Sequence, residues 1–338
     1  MLVMSDEGGD GLLLIAGPPA RGEDDELDTV EDHLVRLDPA GARVGAVLRD
    51  TYDQLLDGRR SGRWDYRDLR KTEKIHMGTL VEINLHREFD FDDGDATDYK
   101  IAGVEVDCKF SQRVGGWEVG PELVGKICLV LWADDLKGEW RAGLVRMTQD
   151  RLRAGMNRDA KRTLNQLGRE KVRWLWKEAD RLPSNVLLHM EPGKRERIMN
   201  ARAQRGDRHG QARLFQLCRE WHDKVITRAT VETVGWGLDD PLKRMRSNGG
   251  ARDALRDEGL LVLGHQDNDP AVIAALGLPQ PKKGQFVVTR VVPAESGVQP
   301  AAEISGKRWR CAKESDPIVA APVVPRKPVA IQKRGGID

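Results

Sequence analysis

TDYKIAGVEVDCKF, residues 97–110, decides the reading of this chain. The spacing predicts a strand near residues 98–110. In an extended strand successive side chains alternate between faces, so Val104, Val106 and Cys108 point one way and Glu105, Asp107 and Lys109 the other. Asp98 lies just upstream, at a turn expected after DDGDAT, where chain reversal brings it beside Asp107. Two close carboxylates repel each other, and a divalent cation between them removes the repulsion. Mg²⁺ suits such a place, because it takes one or two carboxylates, keeps several waters and shares the phosphate oxygens of a substrate. The neighbouring Lys109 ammonium can then hold and polarise an attacking water. This is the arrangement of metal-dependent nucleases. The competing reading of the same residues is an amphipathic edge strand with a solvated charged face.

The preceding segment KIHMGTLVEINLHREF, residues 74–89, sharpens the choice. Ile75, Leu80, Ile83 and Phe89, with Met77 and Leu85 nearby, predict a helix over 72–89. Glu82 lies among them, and a carboxylate on the core side of a helix is costly unless paired or metal-bound. Glu82 is therefore a candidate third acid; the alternative is a solvated Glu, or one paired with Arg87. The expected catalytic set is Glu82, Asp98, Asp107 and Lys109, and the expected metal ligands are Asp98, Asp107, Cys108 and Glu82, with Mg²⁺ as cofactor.

Composition bounds the rest. At 338 residues the chain accommodates two domains. No run approaches the roughly 18 apolar residues of a membrane span. GLLLIAG at 11–17 lacks a basic lead-in and is followed by acids, so it fails as a secretory signal. Cys108, Cys128, Cys218 and Cys311 are scattered without a C-x-x-C pair, which predicts reduced thiols in a cytoplasmic protein and excludes a disulfide framework. The net charge of +1 conceals an asymmetry: residues 1–50 hold 12 Asp/Glu against 4 Lys/Arg, whereas 151–260 hold 25 Lys/Arg against 15 Asp/Glu. The second half is therefore expected to meet a polyanion. EDDELDTVED, residues 23–32, is expected to be a solvated flexible segment, the alternatives being a mobile tail that competes with nucleic acid for basic surface and a helix that begins near Leu27.

The organisation expected is an acidic flexible segment over 1–38, a mixed α/β domain over 39–180 and a DNA-binding domain over 181–338. Within the middle region helices are predicted near 40–57, 72–89 and 157–179, with strands near 126–133 and 139–147. Beyond Pro183 a short helix at 193–203 precedes a long one at 209–235, whose Leu214, Leu217, Trp221, Val225 and Ile226 form an apolar stripe. DPLKRMR at 240–246 predicts a helix from Pro241 after an Asp240 cap, followed by a turn at Ser247–Gly250, a second short helix and the strand LLVLGH. Two short helices around a Gly-containing turn suggest a helix-turn-helix with Lys243, Arg244, Arg246 and Arg252 as DNA-contacting residues; the alternative is an αα-hairpin with solvated cations. GHQDNDP at 264–270 is expected to cap the helix beginning at Pro270. LLDG at 55–58 is like the Lys-x-Asp-Gly of nucleotidyl-transferring ligases, but Leu55 leaves no lysine nucleophile.

From Leu37 to Lys327 the chain resembles the NaeI family of type II restriction endonucleases. The resemblance is carried by GAVLRDT (45–51), DQLLDG (53–58), GRW (62–64), KTEK (71–74), HMGTLVEINLHREF (76–89), TDYKIAGVEVDCKF (97–110), HGQAR (209–213), GGAR (249–252), GHQDNDP (264–270) and APVVPRK (321–327). It implies a homodimer with a mixed α/β restriction-endonuclease-like core, followed by an α+β winged-helix domain like that of the catabolite activator protein. It places Glu82, Asp98, Asp107 and Lys109 on the family's catalytic positions. It further implies binding of two double-stranded DNA sites, one cut and one activating, with GCCGGC as the family's palindromic target. The competing class is a DNA-binding regulator or repair protein that keeps the fold without cleaving. Against it stands the full Glu/Asp/Asp/Lys set, whose mutually repelling carboxylates a pure binder would gain by replacing.

Overall fold

The computed structural model describes residues 18–176, 181–204 and 206–326. The chain divides into two compact units, Met1–Leu55 with Leu69–Ser184 and Leu56–Asp68 with Asn185–Asp338. Helices α1 (Asp25–Leu37), α2 (Ala42–Leu56), the one-turn α3 (Gly58–Ser61) and α4 (Lys71–Phe89) come first. Strands β1 (Asp92–Asp93), β2 (Tyr99–Ile101), β3 (Val104–Ser111), β4 (Glu118–Val119), β5 (Ile127–Asp134), β6 (Glu139–Arg146) and β7 (Arg162–Thr163) follow. Helix α5 (Gln166–Glu170) and strand β8 (Arg173–Leu175) close the first unit.

Among the described residues the first unit is built on a six-stranded sheet in the order β1-β2-β3-β5-β6-β8, in which only the β3–β5 pair is parallel. Because side chains alternate, the sheet buries both faces. Leu129, Leu131 and Ala142 meet Leu34, Val44, Leu85 and Phe89 from the helices on one face. Cys128, Val130, Val145 and Val172 pack with Trp117, Val119, Leu152 and Leu164 on the other.

Three expectations for this unit are corrected. The acidic segment is structured from residue 18: α1 buries Leu27, Val30 and Leu34, and its acids face two arginines of the sheet. Arg146 pairs with Asp24 and with Glu26 (2.9 Å), while Arg173 pairs with Asp28 and with Glu31 (2.7 Å). An acidic run that has its own counter-charges folds onto them. GLLLIAG lies outside the described residues. Helix α4 has a different phase from the one expected, burying Met77, Val81, Leu85 and Phe89 and leaving Ile75 and Ile83 exposed. Where a helix is expected at 157–179, residues 157–176 form part of a hairpin, the five-residue α5 and an edge strand, and 177–179 lie outside the described residues. The Asn165 side chain caps α5 by accepting the Gly168 N–H (2.8 Å), and β8 joins the sheet beside β6.

The second unit contains α6 (Val186–His189), α7 (Pro192–Asn200), α8 (His209–Glu220), β9 (Val225–Ile226), α9 (Arg228–Val234), α10 (Pro241–Met245), α11 (Ala251–Ala254), β10 (Leu260–Leu263), α12 (Asp269–Ala275), β11 (Phe286–Pro293), β12 (Ala302–Ile304) and β13 (Lys307–Cys311). Its strands run β10-β11-β13-β12, with β9 also paired to β11. The long helix expected at 209–235 is broken. Leu214 and Leu217 are core, but β-branched Val225 and Ile226 pair with Val287 and Phe286, and Thr227 caps a new helix by accepting the Thr230 N–H (3.2 Å).

Residues 56–68, expected inside the 39–180 domain, also belong to this unit. A Cβ on Gly58 would lie 2.0 Å from Thr233 Oγ1, so only glycine lets α3 sit against α9. That contact gives the DG of LLDG a structural explanation. The Arg195 guanidinium stacks 4.5 Å from the Trp64 ring, and Trp64 O accepts from Asn185 Nδ2 (2.8 Å). No described helix is long and apolar enough to cross a membrane.

Candidate active site

The decisive stretch is two strands rather than one. Ala102 and Gly103 both adopt positive φ (50° and 82°), the two-residue turn whose twist matches a hairpin. The reversal that brings Asp98 beside Asp107 is this turn, marked by Gly103; the turn expected at DDGDAT is a separate reversal, between the antiparallel β1 and β2. The register pairs Tyr99 with Val106, so Asp98 comes opposite Asp107. Asp98 Oδ2 accepts the Cys108 N–H at 2.7 Å, which fixes the carboxylate against the strand. The loop leading in is held by Glu105, which accepts from Asp95 N (3.0 Å), Ala96 N (3.0 Å) and Thr97 Oγ1 (2.8 Å). Those bonds draw its carboxyl down to about 2, so Glu105 is a brace and not an acid catalyst.

Lys109 forms an ion pair with Asp107, lies 3.9 Å from Asp98 Oδ2 and donates to Cys108 O at 3.1 Å. Asp107 is 5% exposed, and burial pushes its carboxyl up to about 6 against the opposing pull of Lys109. Burial alone would lower the Lys109 pKa. Hydrogen bonding and attraction to Asp107, then Asp98, outweigh that and raise it, so the ammonium stays charged. Glu82, half-buried on α4, has its carboxyl raised by burial first and by the charge of Asp98 second. Tyr99, absent from the expected set, donates from its hydroxyl to Glu82 O (2.8 Å) and so fastens the Glu82 turn of α4 to the hairpin. The structure therefore brings together Glu82, Asp98, Asp107 and Lys109. Cys108 differs from the others: its thiol is buried and pushed up by that burial, and what it offers the site is its carbonyl oxygen.

In the second unit α10 begins as expected, with the Asp240 side chain accepting the Lys243 N–H (3.0 Å). The following turn is tight, since a Cβ on Gly250 would lie 2.1 Å from Arg246 O. Lys243 and Arg246 are exposed and Arg244 half-buried, with no carboxylate partner among the described residues. Arg252 stands apart from these three. It pairs with the buried Asp269 and donates to Val262 O (3.0 Å), which ties α11 to β10 and α12. Asp269 also accepts the Gly264 N–H (2.7 Å), so GHQDNDP closes on itself ahead of α12.

Residues 28–320 match the family model described as Restriction endonuclease NaeI. The chain is also 55% identical over 305 residues to the type II restriction enzyme NaeI of Lentzea aerocolonigenes, covering 90% of this chain and 96% of that protein. It belongs to the restriction endonuclease NaeI family. As a family member it is a site-specific deoxyribonuclease, and DNA is its partner.

Proposed function

We propose that the chain is a type II restriction endonuclease that makes Mg²⁺-dependent double-strand cuts in a palindromic site, with GCCGGC as target and Asp98, Asp107, Lys109 and Glu82 as the cutting residues. The observation that carries this reading is the Asp98–Asp107–Lys109 cluster across the β2–β3 turn, with Glu82 facing it from α4. The donor set fits a hard cation: carboxylates of Asp98, Asp107 and Glu82 and the Cys108 carbonyl are all oxygen. Among the described residues no group of three or more His, Cys, Asp or Glu is placed to hold a metal ion, so the proposed ligation rests on the Asp98–Asp107 pair with Glu82 as a further acid on α4. Mg²⁺, held by Asp98 and Asp107, would supply charge neutralisation for the phosphate in the transition state. Lys109 donates hydrogen bonds and orients the attacking water by its oxygen. Asp107 and Asp98 hold that ammonium in place, and the Tyr99 hydroxyl, donating to Glu82 O, ties the Glu82 turn of α4 to the hairpin.

The second unit is read as a winged-helix domain. Support comes from the sequence of elements α8, β9, α9, α10, α11, β10, β11, with β9 and β10 flanking β11. Lys243, Arg244 and Arg246 are assigned to DNA contact, and Arg252 to holding the segment that presents them. In a homodimer a palindrome matches the two-fold axis, and a second duplex in the carboxy-terminal domain stimulates cutting of the first.

Plasmid bearing one GCCGGC site tests the whole reading. Cleavage should require Mg²⁺, stop in chelator and accelerate when a short GCCGGC duplex is added in trans. Inhibition by that duplex at every concentration would remove the activating site, and cleavage in chelator would remove the metal.

A further inference from the structure

The segment between Leu152 and Leu164 takes no part in the site described above, yet it grows from the face that bears it. Leu152 and Leu164 bridge each other and are buried with Cys128 and Val130. Those two residues are the register partners of Asp107 and Lys109 in the neighbouring strand. Paired residues of adjacent strands share a face, so the stem of this hairpin stands on the side of the sheet to which Asp107 and Lys109 point.

Beyond the stem the arm is exposed at every position from 153 to 161, yet it is internally fixed. Arg153 N donates to Thr163 O (3.0 Å) and Asn157 N to Lys161 O (2.9 Å). The Asn157 side chain accepts from Asp159 N (3.0 Å) and Lys161 N (2.9 Å), locking the turn. Arg153, Arg158 and Lys161 have no carboxylate partner among the described residues, and the only acid on the arm is Asp159. Met156 is 65% exposed between them. A rigid turn that holds three free cations around an exposed apolar side chain has a cost in water and a use against a duplex. Cations meet phosphates, and an apolar tip meets base edges in a groove that admits a two-stranded ribbon.

We propose that the Leu152–Leu164 hairpin is a DNA-gripping arm of the nuclease unit, with Arg158 and Lys161 against phosphates and Met156 against the bases of the duplex being cut. The assignment rests on the cleavage reading of Asp107 and Lys109. The experiment is cleavage of a cognate duplex by the full chain in Mg²⁺, titrated with DNA at several salt concentrations, for wild type and for the Arg158→Ala, Lys161→Ala double variant. Both side chains are exposed and unpaired, so the thermal unfolding midpoint should be unchanged. The half-saturating DNA concentration should rise at least about tenfold, and its log–log dependence on salt should flatten by roughly 1.8, two contacts at about 0.9 each. Arg158→Lys should restore most of the loss. Met156→Ala should narrow the gap in rate between the cognate duplex and one altered at a single base pair.

A double variant that cuts with wild-type half-saturation and salt dependence overturns the arm. Unaltered discrimination by Met156→Ala overturns its base contact. Wild-type protein that fails to cut in Mg²⁺ overturns the active-site reading instead, so the two failures are distinguishable.

Discussion

The β2–β3 hairpin and the α10–α11 segment both concentrate charge, but they treat it in opposite ways. In the hairpin the charges are drawn inward: Lys109 sits between two carboxylates, and Asp107 is nearly buried. In the segment Lys243 and Arg246 stand in solvent with no carboxylate partner among the described residues, while Arg252 is tied to Asp269 and serves the scaffold. Charges held close in a half-buried place perturb each other's protonation, which is what chemistry on a phosphate needs. Solvated cations remain available for phosphates and release counterions on contact. Buried charge thus marks where reaction is expected, and free charge where binding is expected.

The comparison predicts its largest effect at Asp107. Asp107→Ala removes one of two carboxylates and the anchor of Lys109, so the Mg²⁺-dependent cleavage rate should fall by roughly 10³-fold or more. DNA affinity in a filter-binding assay should stay near wild type. Residual cleavage within about tenfold of wild type would show that Asp107 is not a reacting-centre residue.

A second break targets a buried charge with no catalytic task. Arg213, 3% exposed, donates to Val234 O (2.7 Å) and Trp236 O (2.5 Å) and stacks 4.7 Å from the Trp236 ring. Arg213→Ala leaves two carbonyls unpaired and should cost about 3 kcal/mol of stability, read by urea unfolding. An unchanged midpoint would show that the Arg213 contacts add nothing to the second unit's stability.

How much of this was legible depended on whether the signal was local. Helices α2 and α4 and strands β5 and β6 were readable from periodicity, and alternation placed Asp107 and Lys109 on one face. The phase of α4 was not, because apolar residues occur on both of its sides and only packing selects Met77 over Ile75. The two failed helices have a common cause. Residues 157–176 are rich in helix formers and the stripe Leu214, Leu217, Trp221, Val225 and Ile226 keeps helical spacing, but Asn165 and Thr227 act as caps, and β8 and β9 find strand partners far away in sequence. Residues 56–68 belong to the second unit through Gly58 and Trp64, contacts that no window of sequence contains. Sequence groups Arg252 with its basic neighbours because its partner, Asp269, is 17 residues away.

The pH dependence of metal binding sharpens the inward half of the comparison. Burial raises the Asp107 carboxyl to about 6, above the roughly 3.9 of a free aspartate. Its neutral form therefore dominates below pH 6, and a neutral carboxyl is a poor ligand. Apparent Mg²⁺ affinity, from cleavage rates titrated with metal, should be level above about pH 7 and fall roughly tenfold per unit below about 6. A profile flat down to pH 5 would mean that Asp107 is already ionised there or does not ligate.

The smallest expected effect concerns a single free cation. Lys243 is exposed on the five-residue helix α10 and makes no ion pair among the described residues, so Lys243→Ala removes little from the folded state. Its contribution is electrostatic and independent of base identity. Affinity for cognate and unrelated duplexes should drop together by a few-fold, and the slope of log affinity against log salt should flatten by about 0.9. Arg252→Ala provides the contrast. With Asp269 left buried and unpaired it should lower stability, while a direct phosphate contact would instead flatten the salt slope at unchanged stability. If Arg252→Ala shifts the slope as Lys243→Ala does and leaves unfolding untouched, Arg252 belongs with the free charges, and the division drawn between scaffold and binding arginines fails at that residue.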